Sequence, residues 1–262
     1  MLDKAKTLTG FTLHALDGDV GTVREFYFDD ERWVIRYLVA ATGNWLTGRQ
    51  VLISPYALKA VNRDAQEIAI GLTKQQIENS PSLNDDKPVS QQFEEEYYGF
   101  YGWPKYWGGP HLWGFYPGIV RDPEQWTDAI AGEHPGDPHL RSTKVVSGYH
   151  VQATDGEIGH VEDFIIDDET WAIRYLVIDT GNWRSGKKVL VAPKWIDRVS
   201  WGESEVYVQL SRGAIEGSPE YTEESALTRD YEGRLHGHYD RPGYWVDEPA
   251  VTTNSRSRHR GS

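Results

Sequence analysis

Two acidic triplets, Asp29-Asp30-Glu31 and Asp167-Asp168-Glu169, carry the kind of paired carboxylates that serve acid–base work or Ca²⁺ binding. Each lies between two strand-like stretches, with no further carboxylate or glycine at loop-ligand spacing, so solvated turns are expected there. Among the 9 histidines only His236-Gly237-His238 places two rings close together in sequence. A metal centre needs three or four convergent ligands, and no metal is expected from this pair. With 0 cysteines there is no thiolate nucleophile, zinc thiolate or disulfide. The chain also lacks a Gly-x-Ser-x-Gly elbow and a phosphate-cradling glycine loop. The expectation is no catalytic residue, no cofactor and no metal.

The elements that would position any site occur twice. Gly10 to Trp107 reappears as Gly148 to Trp245 at one constant offset of 138 residues (148 − 10). Thr42-Gly43-Asn44-Trp45 answers Thr180-Gly181-Asn182-Trp183, and His236 and His238 answer Tyr98 and Phe100. Each copy must be a structural unit, and chemistry shared by both must use groups present in both. The division expected is 1–107, a first unit with a helical and aromatic extension; 108–143, a linker; 144–247, a second unit; and 248–262, a disordered basic tail.

Each copy opens as a β-meander. Asp17-Gly18 and Asp155-Gly156 supply tight turns in which Gly18 and Gly156 adopt positive φ. The strand after each turn has no clean period of two, which predicts a bulge near Gly21 and Gly159. The next strand is the plainest signal: Trp33-Val34-Ile35-Arg36-Tyr37-Leu38-Val39, matched by Trp171-Ala172-Ile173-Arg174-Tyr175-Leu176-Val177. Its parity puts Trp33, Ile35, Tyr37 and Val39 on one face, with Arg36 and Arg174 pointing outward or to a carboxylate. Gly43 and Gly181 follow at turns suited to a left-handed residue. Strands are expected at 50–53 and 188–191, stopped by Pro55 and Pro193, and then hairpins over 58–70 and 196–208. Thr73 and Ser211 cap short helices, and Ser90 and Thr228 cap longer ones. In the longer helices Phe93 and Tyr97, or Tyr231 and Leu235, share a face. Gly18, Gly43, Trp33, Tyr37, Gly156, Gly181, Trp171 and Tyr175 are therefore read as structural.

The linker carries Pro110, Pro117, Pro123, Pro135 and Pro138, and is expected to be mostly irregular, with one short helix between 122 and 131. Its rings are too apolar for a free tether. Tyr101, Pro104, Tyr106 and Trp107 recur in the second copy and are read as covers of their own unit. Trp103 and Trp113 do not recur. Together with Phe115 and Tyr116 they are the expected partner-binding residues, because Trp and Tyr dominate interface centres.

A net charge of −13 disfavours nucleic acid as a partner. No stretch approaches the roughly 20 apolar residues of a membrane span, and no signal-peptide core follows Met1. A cytoplasmic location is expected.

A strand, an Asp-Gly turn, a Gly-x-Val strand, an acidic turn and the Trp-x-Ile-Arg-Tyr-Leu-Val strand together resemble the PRC-barrel family. The resemblance covers about Leu8–Leu72 and Val146–Leu210, and the Tyr-Gly-Trp-Pro-x-Tyr-Trp tail resembles the extension of tandem members. It implies a mainly β fold of two small six-stranded PRC-type β-barrels in tandem, each with short helices and an aromatic extension. It also implies that the barrels pair within the chain as single-barrel relatives pair in a dimer, and it leaves homo-oligomers open. The family's barrels act by binding and assembly, so no catalytic residue carries over. The function expected is a non-enzymatic scaffold for an unidentified protein partner, connected with stress or assembly. One alternative is an adaptor that binds a ribosomal protein, as the related ribosome maturation factor suggests. Another is a small-ligand or enzymatic site between the barrels, built from unmatched residues such as His160, Trp201 and Trp113.

Overall fold

The computed structural model describes residues 1–43, 46, 50–81, 91–103, 139–181, 186–222 and 227–246. Strands dominate. In the first half they are β1 (Leu2–Lys4), β2 (Thr12–Ala15), β3 (Gly18–Asp29), β4 (Val34–Ala41), β5 (Gln50–Ile53), β6 (Leu58–Asn62) and β7 (Glu67–Ile70). The second half repeats them as β8 (Leu140–Ser142), β9 (His150–Ala153), β10 (Gly156–Asp167), β11 (Ile173–Asp179), β12 (Lys188–Val191), β13 (Ile196–Ser200) and β14 (Glu205–Val208). Helices α1 (Ala5–Leu8), α2 (Lys74–Glu78) and α3 (Gln91–Tyr101) have counterparts α4 (Thr143–Val146), α5 (Arg212–Glu216) and α6 (Arg229–His238).

The strands form two sheets with the same order, β5-β4-β3-β2-β7-β6 and β12-β11-β10-β9-β14-β13. Among the described residues only β2–β7 and β9–β14 are parallel pairs. Each sheet has seven strands rather than the six expected, because the short first strand of each half crosses over. β1 pairs with β10, and β8 pairs with β3, through equivalent registers (Leu2 opposite Asp167, Leu140 opposite Asp29). Leu140–Ser142 thus form a strand at the end of the stretch expected to be linker. Among the described residues no pairing joins β5 to β6 or β12 to β13, so neither sheet closes into the barrel expected. The expected helix at 122–131 and the cap Ser90 lie outside the described residues.

The turns behave as local chemistry dictates. Thr73 forms a full capping box with Gln76, and Ser211 and Thr228 accept from Ala214 N and Tyr231 N. Bulges fall beside Gly21 and Gly159, where the register slips by one residue. A side chain there would collide with the neighbouring strand: a Cβ on Gly21 would sit 2.1 Å from the Ala41 carbonyl oxygen, and one on Gly159 2.0 Å from that of Asp179. Gly18, Gly43, Gly156 and Gly181 all take positive φ.

The central strand departs from simple alternation. Tyr27 pairs with Tyr37 and Phe28 with Ile35, so Arg36 is a bulged residue with no partner in register, and Arg174 is its twin. The bulge flips the parity. Ile35 joins Trp33 in the main core, while Tyr37 and Val39 turn to a second apolar cluster with Tyr97 and Tyr98. The four residues expected on one face are divided between two. Trp33 and Trp171 also do not begin their strands. They close the acidic turns with φ of 56° and 59°, a left-handed conformation that is costly for a bulky residue. The Trp33 carbonyl then accepts from Ile173 N, and the Trp171 carbonyl from Ile35 N, both at 2.8 Å. The strained turn aims each carbonyl at the other half. Phe28 packs on Phe164 and Phe26 on Trp171 across the same junction, so one apolar core runs through both halves.

Candidate functional site

Glu31 and Glu169 are exposed, as expected of solvated turns, but the two aspartates of each triplet are buried or half-buried. Asp29 is buried and accepts from Glu31 N and Arg32 N, which shapes the turn. Asp30 binds Arg141 and His139, and thereby clamps the crossing strand β8. On the other side Asp168 binds Arg63 and the amino group of Met1, while Arg63 also holds Asp3 of β1. The carboxylates are oriented by the crossing strands, which sequence spacing does not reveal.

Beneath each acidic turn lies a buried polar cluster. In the first half the fully buried Arg36 binds Glu94 on α3, with Asp29 3.6 Å away. Tyr37 donates to Glu94 at 2.8 Å, and Tyr97 donates to the Leu52 carbonyl at 3.0 Å. Burial, with the Glu94 carboxylate nearby, pushes the Tyr37 hydroxyl pKa well up, so it remains a donor. In the second half the same frame is rewired. Arg174 turns to Asp167 (2.7 and 3.1 Å) and lies over the Tyr244 ring, 4.0 Å from its centre. Burial raises the Asp167 carboxyl, but the Arg174 charge and hydrogen bonds outweigh it and hold the pKa below its usual value. Glu232 accepts from Tyr175 at 2.9 Å and pairs with Arg229 at 3.1 Å.

His236 replaces Tyr98 in this second cluster. It is buried, with one ring nitrogen 3.1 Å from the Tyr175 hydroxyl and the other 3.1 Å from the Pro242 carbonyl. Burial lowers its pKa against two opposing backbone hydrogen bonds. His238 points elsewhere, to the Ala214 carbonyl, so the pair does not converge. No group of three or more metal-ligating side chains occurs among the described residues.

A cleft of about 370 Å³ opens above this cluster, between the acidic turn of the first half and the second sheet. Asp30, Glu31, Arg32 and Trp33 form one wall, and Arg174, Pro193, Lys194, Asp197 and Arg198 the other, with His236 and Tyr244 at the base. This cavity is lined by other residues than those expected at an inter-unit site. Neither His160 nor Trp201 lines it. Trp201 is half exposed beside Tyr149, under the Arg141 guanidinium. Lys194 and Arg198 carry no sequence signal beyond their failure to match Tyr56 and Ala60.

Trp103 stacks on Tyr101, with ring centres 4.4 Å apart, and on Tyr56. Trp113, Phe115 and Tyr116 lie outside the described residues, as do Tyr106 and Trp107. Tyr37 and Tyr175 are fully buried.

Residues 146–215 match the PRC-barrel domain. The match runs from the last residue of α4 into α5, and so contains the sheet strands β9 to β14. No curated protein matches the chain. Among the described residues no helix is long and apolar enough to cross a membrane.

Proposed function

We propose that the chain is a non-enzymatic binding scaffold made of two PRC-type barrel units, acting in the cytoplasm on a protein partner in stress response or assembly. The observation that carries this reading is the use of the reactive side chains. Asp30, Asp168, Arg36 and Arg174 each meet an internal partner of opposite charge, and two of these contacts tie down crossing strands. Groups committed in this way stabilise a platform rather than turn over a substrate. The two crossing strands make the halves mutually dependent, as expected of a platform that presents both faces in a fixed relation. Trp113, Phe115 and Tyr116, outside the duplicated pattern, are the proposed contact residues.

Crosslinking and affinity capture from the native organism, using the full chain, test this reading. One protein should be enriched, and lost with Trp113→Ala combined with Phe115→Ala. A turnover activity that depends on a single polar side chain would overturn it. The small-ligand alternative finds support in the cleft between the halves.

A further inference from the structure

Two histidines of the second half face each other where the first half carries threonines. His150 on β9 lies directly opposite His160 on β10, as Thr12 lies opposite Thr22. The backbone bonds run beside the histidine pair rather than within it. His150 N donates to the Ser204 carbonyl, and Val161 N donates to that of Tyr149. This is the close type of antiparallel pair, with Cα atoms about 4.5 Å apart. Val151 and Val161, the next residues along each strand, are buried, so both rings stand on the outer face of the sheet. His150 is exposed there and His160 half-buried.

The surroundings suit a cation. His150 Nδ1 meets Glu157 Oε1 at 2.8 Å, which leaves Nε2 to carry the lone pair of the neutral ring. A carboxylate on the other nitrogen is the usual device that orients a metal-ligating imidazole. Further negative charge flanks the pair in register, with Glu205 opposite His150 and Asp179 opposite His160. Gln152 and Tyr207 hold Glu205, and Gly181 N holds Asp179, so these carboxylates set the local field while the imidazoles remain the ligands. Lys188, next along the row, sends its ammonium to Glu162 instead. We infer that His150 and His160 chelate one divalent transition-metal ion of the imidazole-preferring class, such as Zn²⁺ or Cu²⁺, with solvent completing its coordination. A cross-strand Cβ separation of about 4.5–5.5 Å lets two rings reach one ion. Two protein ligands fall short of a closed structural centre, so the site is open to solvent and of moderate affinity.

This inference stands apart from protein capture, and either can fail alone. Calorimetric titration of the full chain with Zn²⁺ at neutral pH tests it, with Mg²⁺ as the control ion that prefers oxygen ligands. One Zn²⁺ step should appear that Mg²⁺ does not reproduce. His150→Thr and His160→Thr should each weaken that step by about tenfold or more, because either change turns a chelate into a single ligand. Threonine is the residue the first half carries at both places, and an unchanged thermal melt without metal will confirm that the variants fold. Steps contributed by other histidines should persist in both variants. His14→Gln should leave the chelate unchanged, since His14 meets Asp19 at 2.7 Å but faces no second histidine. Bound Cu²⁺ should show two nitrogen ligands by electron spin resonance, and the signature should be lost in either threonine variant. The absence of any Zn²⁺ step up to about 1 mM would overturn the inference. So would a step that survives both single changes, an equal loss in His14→Gln, or Mg²⁺ binding as tightly as Zn²⁺.

Discussion

Val34 and Ala172, which occupy the same place in the two halves, face each other in an antiparallel bridge. The hydrogen bonds from Ile35 to Trp171 and from Ile173 to Trp33 flank it symmetrically. A contact between a residue and its own counterpart marks a local two-fold axis, as in an isologous dimer interface. The crossing strands β1 and β8 lie on either side of that axis, so each half is completed by the other.

Removing residues 1–4 should therefore destabilise the second sheet, although they belong to the first half. The deletion removes the pairing of β1 with β10, the Asp3–Arg63 ion pair and the contact of Met1 with Asp168. Roughly three backbone hydrogen bonds at about 1 kcal/mol each set the expected loss near 3 kcal/mol. Urea unfolding should show it, with hydrogen exchange fastest at 165–167. Protection there equal to that of the intact chain would refute the crossing.

The Arg36–Glu94 pair should show the asymmetry of buried charge. Glu94→Leu alone takes the carboxylate away from a fully buried guanidinium and should cost about 3–5 kcal/mol. The double change Arg36→Met with Glu94→Leu should recover much of that loss. Equal losses in the single and double variants, measured by chemical denaturation, would contradict this account.

Gly159→Ala should be among the most damaging single substitutions. It combines φ of 145° with a Cβ aimed at the Asp179 carbonyl oxygen. We expect a loss of about 3 kcal/mol or more by thermal melting. The same change at Gly213, where a Cβ meets nothing within 4 Å, should be near neutral.

Acid should weaken the fold through His236. Its ring faces Tyr175, Trp195, Trp245 and the Pro242 carbonyl, with Lys194 and Arg229 disfavouring added positive charge. Because its folded-state pKa is depressed, the stability it supports is complete above about pH 6.5, where an unfolded histidine titrates. That stability is lost as pH falls through the lower folded value. His236→Gln should flatten the stability profile below about pH 6.5. An unchanged slope would assign the acid sensitivity to another group.

Much of the local structure was legible in the chain. Pro55 and Pro193 end β5 and β12 where proline must, and Thr73, Ser211 and Thr228 cap their helices through bonds only a few residues long. The bulges beside Gly21 and Gly159 followed from a broken period. Arg36 and Arg174 turn to carboxylates as their parity suggested, yet the bulge at Arg36 re-aimed Tyr37, because register belongs to a pair of strands and not to one.

By itself the sequence determined the repeat, the β-rich units, their turns and the absence of cysteine chemistry, all of which depend on residue type and near neighbours. Only the tertiary structure decided that Leu2–Lys4 and Leu140–Ser142 change places, that the acidic turns clamp them, and that Lys194, Arg198 and His236 meet Trp33 at one cleft. A three-residue strand has too short a pattern to announce its partner. Its place is set by the unpaired edge it covers and the charges that meet it there, contributed by residues more than a hundred positions away.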